Sequence, residues 1–304
     1  MTNSNNRLKI LFIAAVAAIS LSACDKDEPH KTLPKAPPIV GQWYNLSHDA
    51  EDCEILDIRF EGSKMTSFNM EDAEIKVMTQ GSYETRKTNL EYTLENGRHF
   101  DGTFTANDSV LLLTQDSENI TRYNRIPNGF SIKSLIWHYT GIRSNIKASG
   151  TGEIVLPEGM EYRNSGTLSV SDLNENFFTE GLSGLVSKLR FITDLKAEQY
   201  YTQGKETKTL RKNYEYQDNV LKMSFSIDGK EGRSEAMIVP SYKGKNKKEA
   251  INLVFTRNST AQLATDILLQ NSDAKVSGQA VSKLKSDILA AFDKLNVTLR
   301  MEAE

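Results

Sequence analysis

Short segments with alternating apolar and polar residues run through most of this chain. Leu56, Ile58 and Phe60 alternate with polar residues, and the period of two returns between Thr66 and Met70. Similar runs, separated by polar turns, follow at 76–84, 90–94, 100–105, 110–114 and 120–126. Such alternation indicates strands with one buried face, and short strands at regular spacing predict an antiparallel barrel or sandwich.

The second part of the chain begins near the turn at Pro127-Asn128-Gly129 and combines strands with helices. Alternating or apolar runs predict strands at 135–148, 191–201, 221–227, 236–242 and 251–255. Apolar residues spaced three and four apart predict helices near 180–189, 259–270 and 277–293. Ser277 is the expected N-cap of the last helix. Because strict alternation returns from Leu295 to Met301, we expect a last strand that closes the sheet after the helices.

These patterns divide the folded part of the chain into a first β domain at 39–127 and a second β domain at 128–304. Each is long enough to bury a core. The predicted fold class is therefore mainly β: two antiparallel β-barrel or meander domains, the second with a C-terminal helical insertion before its last strand.

The first residues carry the pattern of a bacterial lipoprotein signal peptide. Arg7 and Lys9 precede an apolar run at 10–19 that is too short for a permanent transmembrane helix. Leu21-Ser22-Ala23-Cys24 closes this run as a lipobox, which predicts removal of residues 1–23 and lipid attachment at Cys24. Residues 24–38 are rich in proline and are expected to form an extended tether. The chain would then be anchored to a membrane without spanning it. The alternative is an uncleaved anchor or a buried helix.

An acidic run at 25–28 follows the lipobox cysteine directly. It resembles the export signal of surface lipoproteins in Bacteroidota. The resemblance implies that the protein is anchored in the cell outer membrane and exposed at the cell surface. Two alternatives stay open: a solvated leader on a periplasm-facing protein, or retention at the inner membrane through Asp25, as in enteric bacteria.

The start and end of the first β domain resemble lipocalins. Gly41-Gln42-Trp43-Tyr44 matches the Gly-x-Trp strand that opens lipocalins, and the domain ends on Tyr123-Asn124-Arg125. Between them, Gly102 to Thr105 turns through Asn107-Asp108 into Leu111 to Thr114. The order is similar to the lipocalin-like domains of Bacteroidota cell-envelope lipoproteins, and it makes Arg125 a candidate for the arginine that packs over the opening tryptophan. The second domain resembles a larger barrel of the same kind.

Charge and cysteine content narrow the expected partners and redox chemistry. The formal net charge is −3, which gives no electrostatic reason to expect nucleic-acid binding. With Cys24 lipidated, Cys53 is the remaining thiol, so no intramolecular disulfide is expected. Acidic neighbours would raise the pKa of Cys53 and lower its reactivity, so we interpret it as a spectator.

The sequence contains no strong signature of an enzyme or of a cofactor site. His48, His99 and His138 are scattered and have no partner at metal-ligand spacing. The acidic clusters at 51–54 and 71–74 lack the order of a calcium loop, so we interpret them as solvated turn residues. The lysine-rich tip at 243–248 is expected to keep a hairpin soluble, with attraction of anionic glycans or lipids as the alternative. We therefore predict no catalytic residues, no metal and no cofactor.

Aromatic residues give the most direct prediction of function. Trp43, Trp137 and Tyr139 are candidates for lining a concave ligand pocket, and plain core packing is the alternative for the same residues. We thus expect a membrane-anchored binding module for a small apolar ligand, a glycan or a partner protein. The second hypothesis is a non-catalytic structural or interaction lipoprotein with filled barrels in an envelope complex. A hydrolase with a spatially assembled site is the third.

Overall fold

The computed structural model describes residues 38–47, 52–71, 74–75, 78–133, 135–227, 234–243, 248–272 and 274–304. The predicted signal peptide, Cys24, the tether up to residue 37 and His48 lie outside the described residues. None of the helices in the described ranges has the length and apolar composition that crossing a bilayer requires. The described chain folds into two closed antiparallel barrels of eight strands each, with three helices attached to the second barrel.

The first barrel is an up-and-down meander. Its strands are β1 (Gly41–Leu46), β2 (Cys53–Arg59), β3 (Lys64–Glu71), β4 (Glu74–Ile75), β5 (Thr79–Arg86), β6 (Asn89–Leu94), β7 (His99–Ala106), β8 (Val110–Thr114) and β9 (Ile120–Arg125). Successive strands pair, β4 is a short addition to β3, and β9 returns to pair with β1. The closing register places Arg125 opposite Trp43.

The second barrel has the same connectivity with two insertions. In chain order its elements are β10 (Ile136–Ala148), β11 (Glu153–Val155), β12 (Thr167–Ser169), α1 (Glu175–Leu185), β13 (Lys188–Phe191), β14 (Lys196–Gln203), β15 (Glu206–Gln217), β16 (Val220–Met223), β17 (Ser234–Lys243), β18 (Lys248–Phe255), α2 (Arg257–Gln270), α3 (Gly278–Ala290) and β19 (Phe292–Ala303). β11 and β12 form a separate two-stranded sheet. β19 pairs with both β18 and β10 and closes the barrel, which confirms the predicted helical insertion before the last strand.

The first helix lies earlier in the chain than the predicted range of 180–189, and this prediction needs correction. Asn174 begins α1, because its side chain accepts hydrogen bonds from the backbone N–H groups of Asn176 and Phe177 at 3.0 and 3.3 Å. The helix ends at Leu185, and Leu189 instead pairs with Trp137 inside the second barrel's sheet. A polar N-cap thus outweighs the apolar spacing from which the range was predicted.

The other two helices begin at polar caps close to the predicted positions. The Thr256 side chain accepts a hydrogen bond from the Ser259 N–H, and the Ser277 side chain accepts one from the Ala280 N–H. The last helix ends at Ala290, so Phe292 belongs to β19 and not to the predicted helix at 277–293.

The barrel interiors are filled by side chains of the chain itself. Trp43 and Trp137 are fully buried, each on the first strand of its barrel. Their indole N–H groups donate to the carbonyls of Ile39 and Ile132, each at 2.8 Å. In the second barrel, α1 and α2 join the inward-facing strand residues in one core. Each barrel therefore has its own buried tryptophan on its first strand. In both, the indole is hydrogen-bonded to the segment that leads into the barrel.

The outer walls of the two barrels pack against each other through apolar side chains. Cys53, Ile55 and Phe68 of the first barrel meet Met237 and Val254 of the second in one buried cluster. Such an interface holds the barrels in one orientation, since apolar contact is lost if they separate.

Candidate functional site

Arg125 and Trp43 close one end of the first barrel. The Arg125 guanidinium lies 4.0 Å from the centroid of the Trp43 ring, and it donates to the carbonyls of Val40 at 3.2 Å and Pro38 at 3.0 Å. Gly41 has a φ of +141°, and a Cβ there would lie 2.3 Å from Arg125 Nη1. The prediction that Arg125 packs over the opening tryptophan is confirmed, and glycine suits position 41 because its φ is positive and the guanidinium lies in the side-chain space.

A polar network lies inside the opposite end of the first barrel. Arg98 donates to both carboxylate oxygens of Glu54, at 2.5 and 3.3 Å, and the Tyr123 hydroxyl donates to Glu54 at 2.6 Å. Ser67 Oγ lies 2.7 Å from the same carboxylate. Burial, and next the charge of Glu54, raise the pKa of Tyr123 well above its ordinary value, so its proton stays in the bond. Because the charges of Glu54 and Arg98 neutralise each other, the network offers no net charge to an anionic or cationic ligand.

The second barrel contains a buried lysine. Lys212 Nζ donates to the carbonyl of Ser224 at 2.8 Å and also to that of Ser226. Burial lowers the pKa of Lys212 to about 8, and the nearby charge of Asp266 on α2 opposes this shift. Gln262 donates to Asp266 at 3.0 Å, so α2 presents polar groups to the barrel side. The Asp266 carboxylate of α2 is thus electrostatically coupled to Lys212 of the barrel.

A groove of about 1000 Å³ lies on the outside of the first barrel, against the second. The outer faces of β2, β3, β5 and β6 form its floor, and the β15–β16 turn at Asp218 and Asn219 forms one wall. Both turn residues have a positive φ, at 50° and 63°, which is typical of a two-residue hairpin turn. Ile55 and Phe68 connect the groove floor to the apolar cluster between the barrels. Clefts between domains are common ligand sites, and this volume lies at the upper end of their usual range.

Ionic and neutral polar side chains both face the groove. Asp57 and Arg59 form an ion pair at 2.9 Å, and Lys64, Glu95 and Asp218 are the other charged residues of the lining. The neutral polar side chains of the lining are Gln42, Thr66, Gln80, Ser82, Thr93 and Asn219. The groove therefore offers amides and hydroxyls with charges of both signs.

The aromatic residues predicted to line a pocket are placed apart from this groove. Trp43 and Trp137 lie in separate barrel cores, whereas Tyr139 is half-buried two residues from Trp137 on the same strand. A ligand could reach either indole only after core side chains had moved. The ligand-binding role of these three residues stays a prediction, and the packing of both tryptophans is that of core residues.

The remaining polar candidates from the sequence lie outside any metal-like arrangement. In the described ranges, no three His, Cys, Asp or Glu side chains are close enough to hold a metal ion. His99 lies 3.0 Å from Thr93 Oγ1, and His138 lies 3.2 Å from the Glu304 carboxylate. Cys53 is buried in the interface between the barrels, and this burial is the largest cause of its raised pKa, followed by Glu54 and Asp52. The lysine-rich tip falls largely outside the described residues.

Comparison with known proteins adds no family assignment. No protein-family model matches the chain, and neither a curated protein nor a solved structure shows significant similarity to it.

Proposed function

We propose that the chain is a membrane-anchored, non-catalytic binding protein of the cell envelope, with its ligand site in the groove between the two barrels. The supporting observation is the groove itself: it is built from both barrels, and its volume is about 1000 Å³. The barrel cores are occupied by their own tryptophans and, in the second barrel, by helices. We therefore place the proposed ligand site in the space between the barrels and not beside the buried tryptophans.

The second candidate function is a structural or interaction lipoprotein with filled barrels in an envelope complex. The packed barrel interiors are as consistent with this candidate as they are with a ligand site in the groove. The two differ in which surface is occupied in the cell. A ligand site predicts contacts in the groove, whereas a scaffold role predicts protein contacts elsewhere on the barrel walls.

Photo-crosslinking in intact cells distinguishes these candidates. Benzoylphenylalanine is placed at Ser82, an exposed groove position on β5, or at Thr103, an exposed position on β7 outside the groove. We expect an adduct by mass spectrometry at position 82 and none at 103. An adduct with another protein at position 103, with position 82 unmodified, contradicts the groove and favours the scaffold role. No adduct at either position contradicts both.

The proposed anchor in the outer membrane has its own test. Replacing Cys24 by alanine removes the thiol that would carry the lipid, so the variant should leave the membrane fraction. A Cys53→Ala variant is the control, because that thiol is buried and should not affect attachment. Sedimentation of the Cys24→Ala protein with membranes would contradict the lipobox interpretation. Protease accessibility on whole cells then separates a surface-exposed protein from a periplasm-facing one.

A further inference from the structure

The turn between β13 and β14 (192–195), called the apolar tip below, exposes two large apolar side chains. Ile192 is 42% exposed and Leu195 is 64% exposed. The other exposed large apolar side chains of the described ranges each stand alone. An isolated exposed apolar side chain is ordinary, but two on one short turn form a patch that a membrane or a partner can cover.

Hydrogen bonds hold the apolar tip in one conformation. Thr193 Oγ1 accepts from the backbone N–H groups of Leu195 at 3.3 Å and Lys196 at 3.1 Å. The N–H groups of Ile192 and Thr193 donate to the Lys196 carbonyl, and the Tyr214 hydroxyl donates to the Thr193 carbonyl at 2.5 Å. Because the backbone is already fixed, burying the two apolar side chains requires little further ordering of the chain.

The apolar tip is flanked by lysines, although the net charge of the whole chain is −3. Lys133 is paired with Asp194 in the turn. Lys196 directly follows the turn and bonds to Asn213, which is uncharged. Two lysines and one aspartate give this part of the described surface a net charge of +1.

The next row of side chains adds a second positive charge. Arg190 and Arg211 lie on either side of Glu198, at 4.0 and 3.4 Å from its carboxylate. In the described strands that flank this row, Glu304 lies on the β10 side and Glu215 lies toward β16. The positive surface is therefore confined to β13, β14 and β15 beside the apolar tip, where it can attract anionic lipid headgroups.

The chain enters the first barrel close to the apolar tip. Arg125 holds the Pro38 carbonyl, and Lys133, eight residues further along the chain, bonds to Asp194 of the tip. An extended chain spans at most ~3.6 Å per residue, so the backbones of Arg125 and Lys133 are within ~29 Å of each other. By the same measure, the chain between Cys24 and Pro38 can span up to ~50 Å. With a lipid at Cys24, the apolar tip is therefore within reach of the bilayer.

We infer that the apolar tip rests on an anionic phospholipid bilayer, with Ile192 and Leu195 among the headgroups; this inference rests on the membrane anchor of the proposed function. Buried apolar area and attraction to anionic lipids add to each other in such contacts. A protein partner fits less well, because a stable interface buries ~800 Å² on each side, and two side chains of one turn offer much less.

Quenching of a fluorophore by labelled lipids tests the inference. The full-length lipidated protein is reconstituted in vesicles of phosphatidylcholine and phosphatidylglycerol that contain nitroxide-labelled lipid. Leu195→Cys carries the dye NBD at the apolar tip, and Val155→Cys carries it on β11, beyond the opposite end of β10. The two positions are matched, since Val155 is 69% exposed. We expect quenching and a blue-shifted emission at position 195 and neither at 155.

Charge variants show whether the contact is electrostatic. Lys196→Gln/Arg211→Gln removes two cations beside the apolar tip and should lower the ratio of quenched to unquenched label at position 195 about tenfold. Lys283→Gln/Lys285→Gln removes two cations of α3 and should leave that ratio unchanged. Quenching at 195 that is no greater than at 155, or equally strong without phosphatidylglycerol, overturns the inference.

Flotation of the same vesicles separates failure of the inference from failure of the anchor. Protein that floats with the vesicles but shows no quenching at position 195 is anchored, and this result overturns the inference alone. Protein that does not float overturns the inference and the membrane anchor together.

Discussion

Glu54 and Asp57 allow a matched measurement of what the polar network inside the first barrel contributes. Both are on β2, but Glu54 points into the barrel and Asp57 points outward, and each is paired with an arginine. Glu54→Gln keeps the shape of the side chain and removes the charge that receives bonds from Arg98 and Tyr123. Asp57→Asn makes the same chemical change in the outer pair.

The expected loss of stability follows from burial. Hydrogen bonds to a charged group are worth ~1.5–3 kcal/mol, and breaking a fully buried ion pair costs ~3–5 kcal/mol. The Glu54 side chain is 14% exposed but that of Arg98 is 39% exposed, so water screens part of the pair. We therefore expect Glu54→Gln to lower the free energy of unfolding by ~2 kcal/mol. The Asp57–Arg59 pair is at the surface, with Arg59 70% exposed, so Asp57→Asn should cost less than ~1 kcal/mol.

Urea unfolding followed by tryptophan fluorescence measures both variants. The midpoint gives the change in stability, and an unchanged m-value shows that the folded and unfolded ensembles are comparable. The single Arg98→Met variant and the double Glu54→Gln/Arg98→Met variant complete a double-mutant cycle for the pair. The reasoning is refuted if Glu54→Gln destabilises the protein no more than Asp57→Asn does.

Three further changes test other parts of the structure. Arg125→Ala removes two hydrogen bonds and the contact with Trp43, so it should lower stability by ~2 kcal/mol in the same urea assay. Folding disfavours the charged form of Lys212, so its burial penalty is complete below pH 8 and decreases as the pH rises toward 10.5. The stability of the wild type relative to Lys212→Met should thus rise by ~3 kcal/mol across this window. Cys53 should react with a maleimide only upon unfolding, because burial raises its pKa and blocks access.

Each of these expectations has an outcome that contradicts it. An Arg125→Ala protein as stable as the wild type would mean that Trp43 is held by its own hydrogen bond alone. A stability difference for Lys212→Met that does not change between pH 8 and 10.5 would mean that the amine is hydrated when charged. Rapid labelling of Cys53 in the folded protein would show that the interface between the barrels opens.

Local patterns were sufficient to predict most of the fold. Alternation of apolar and polar residues identified the β class and the last strand, and the Gly41 and Trp43 motif led to Arg125 correctly. The start of α1 was missed because a single side chain, that of Asn174, decides it. Apolar spacing alone extended that helix to Leu189, which is a strand residue.

Such local patterns could not predict the groove, because the residues that line it are distant from one another in the sequence. The polar network inside the first barrel is likewise non-local, since Glu54 meets Arg98 across 44 positions and Tyr123 across 69. The groove combines strands of the first barrel with a turn at Asp218 in the second, so it exists only after the barrels have packed together. Trp43 packs in the core of the first barrel, and its role in ligand binding stays a prediction.

The point at which the chain enters the first barrel determines how a mechanical load would travel through it. Arg125 holds the carbonyl of Pro38, and β1 begins three residues later, at Gly41. β1 is hydrogen-bonded to β2 on one side and to β9 on the other. With a lipid at Cys24, tension on the anchor would pull along β1 and strain both ladders at once, in shear. The β1–β2 ladder, with six residue pairs, would then carry more of this load than the β1–β9 ladder, with two.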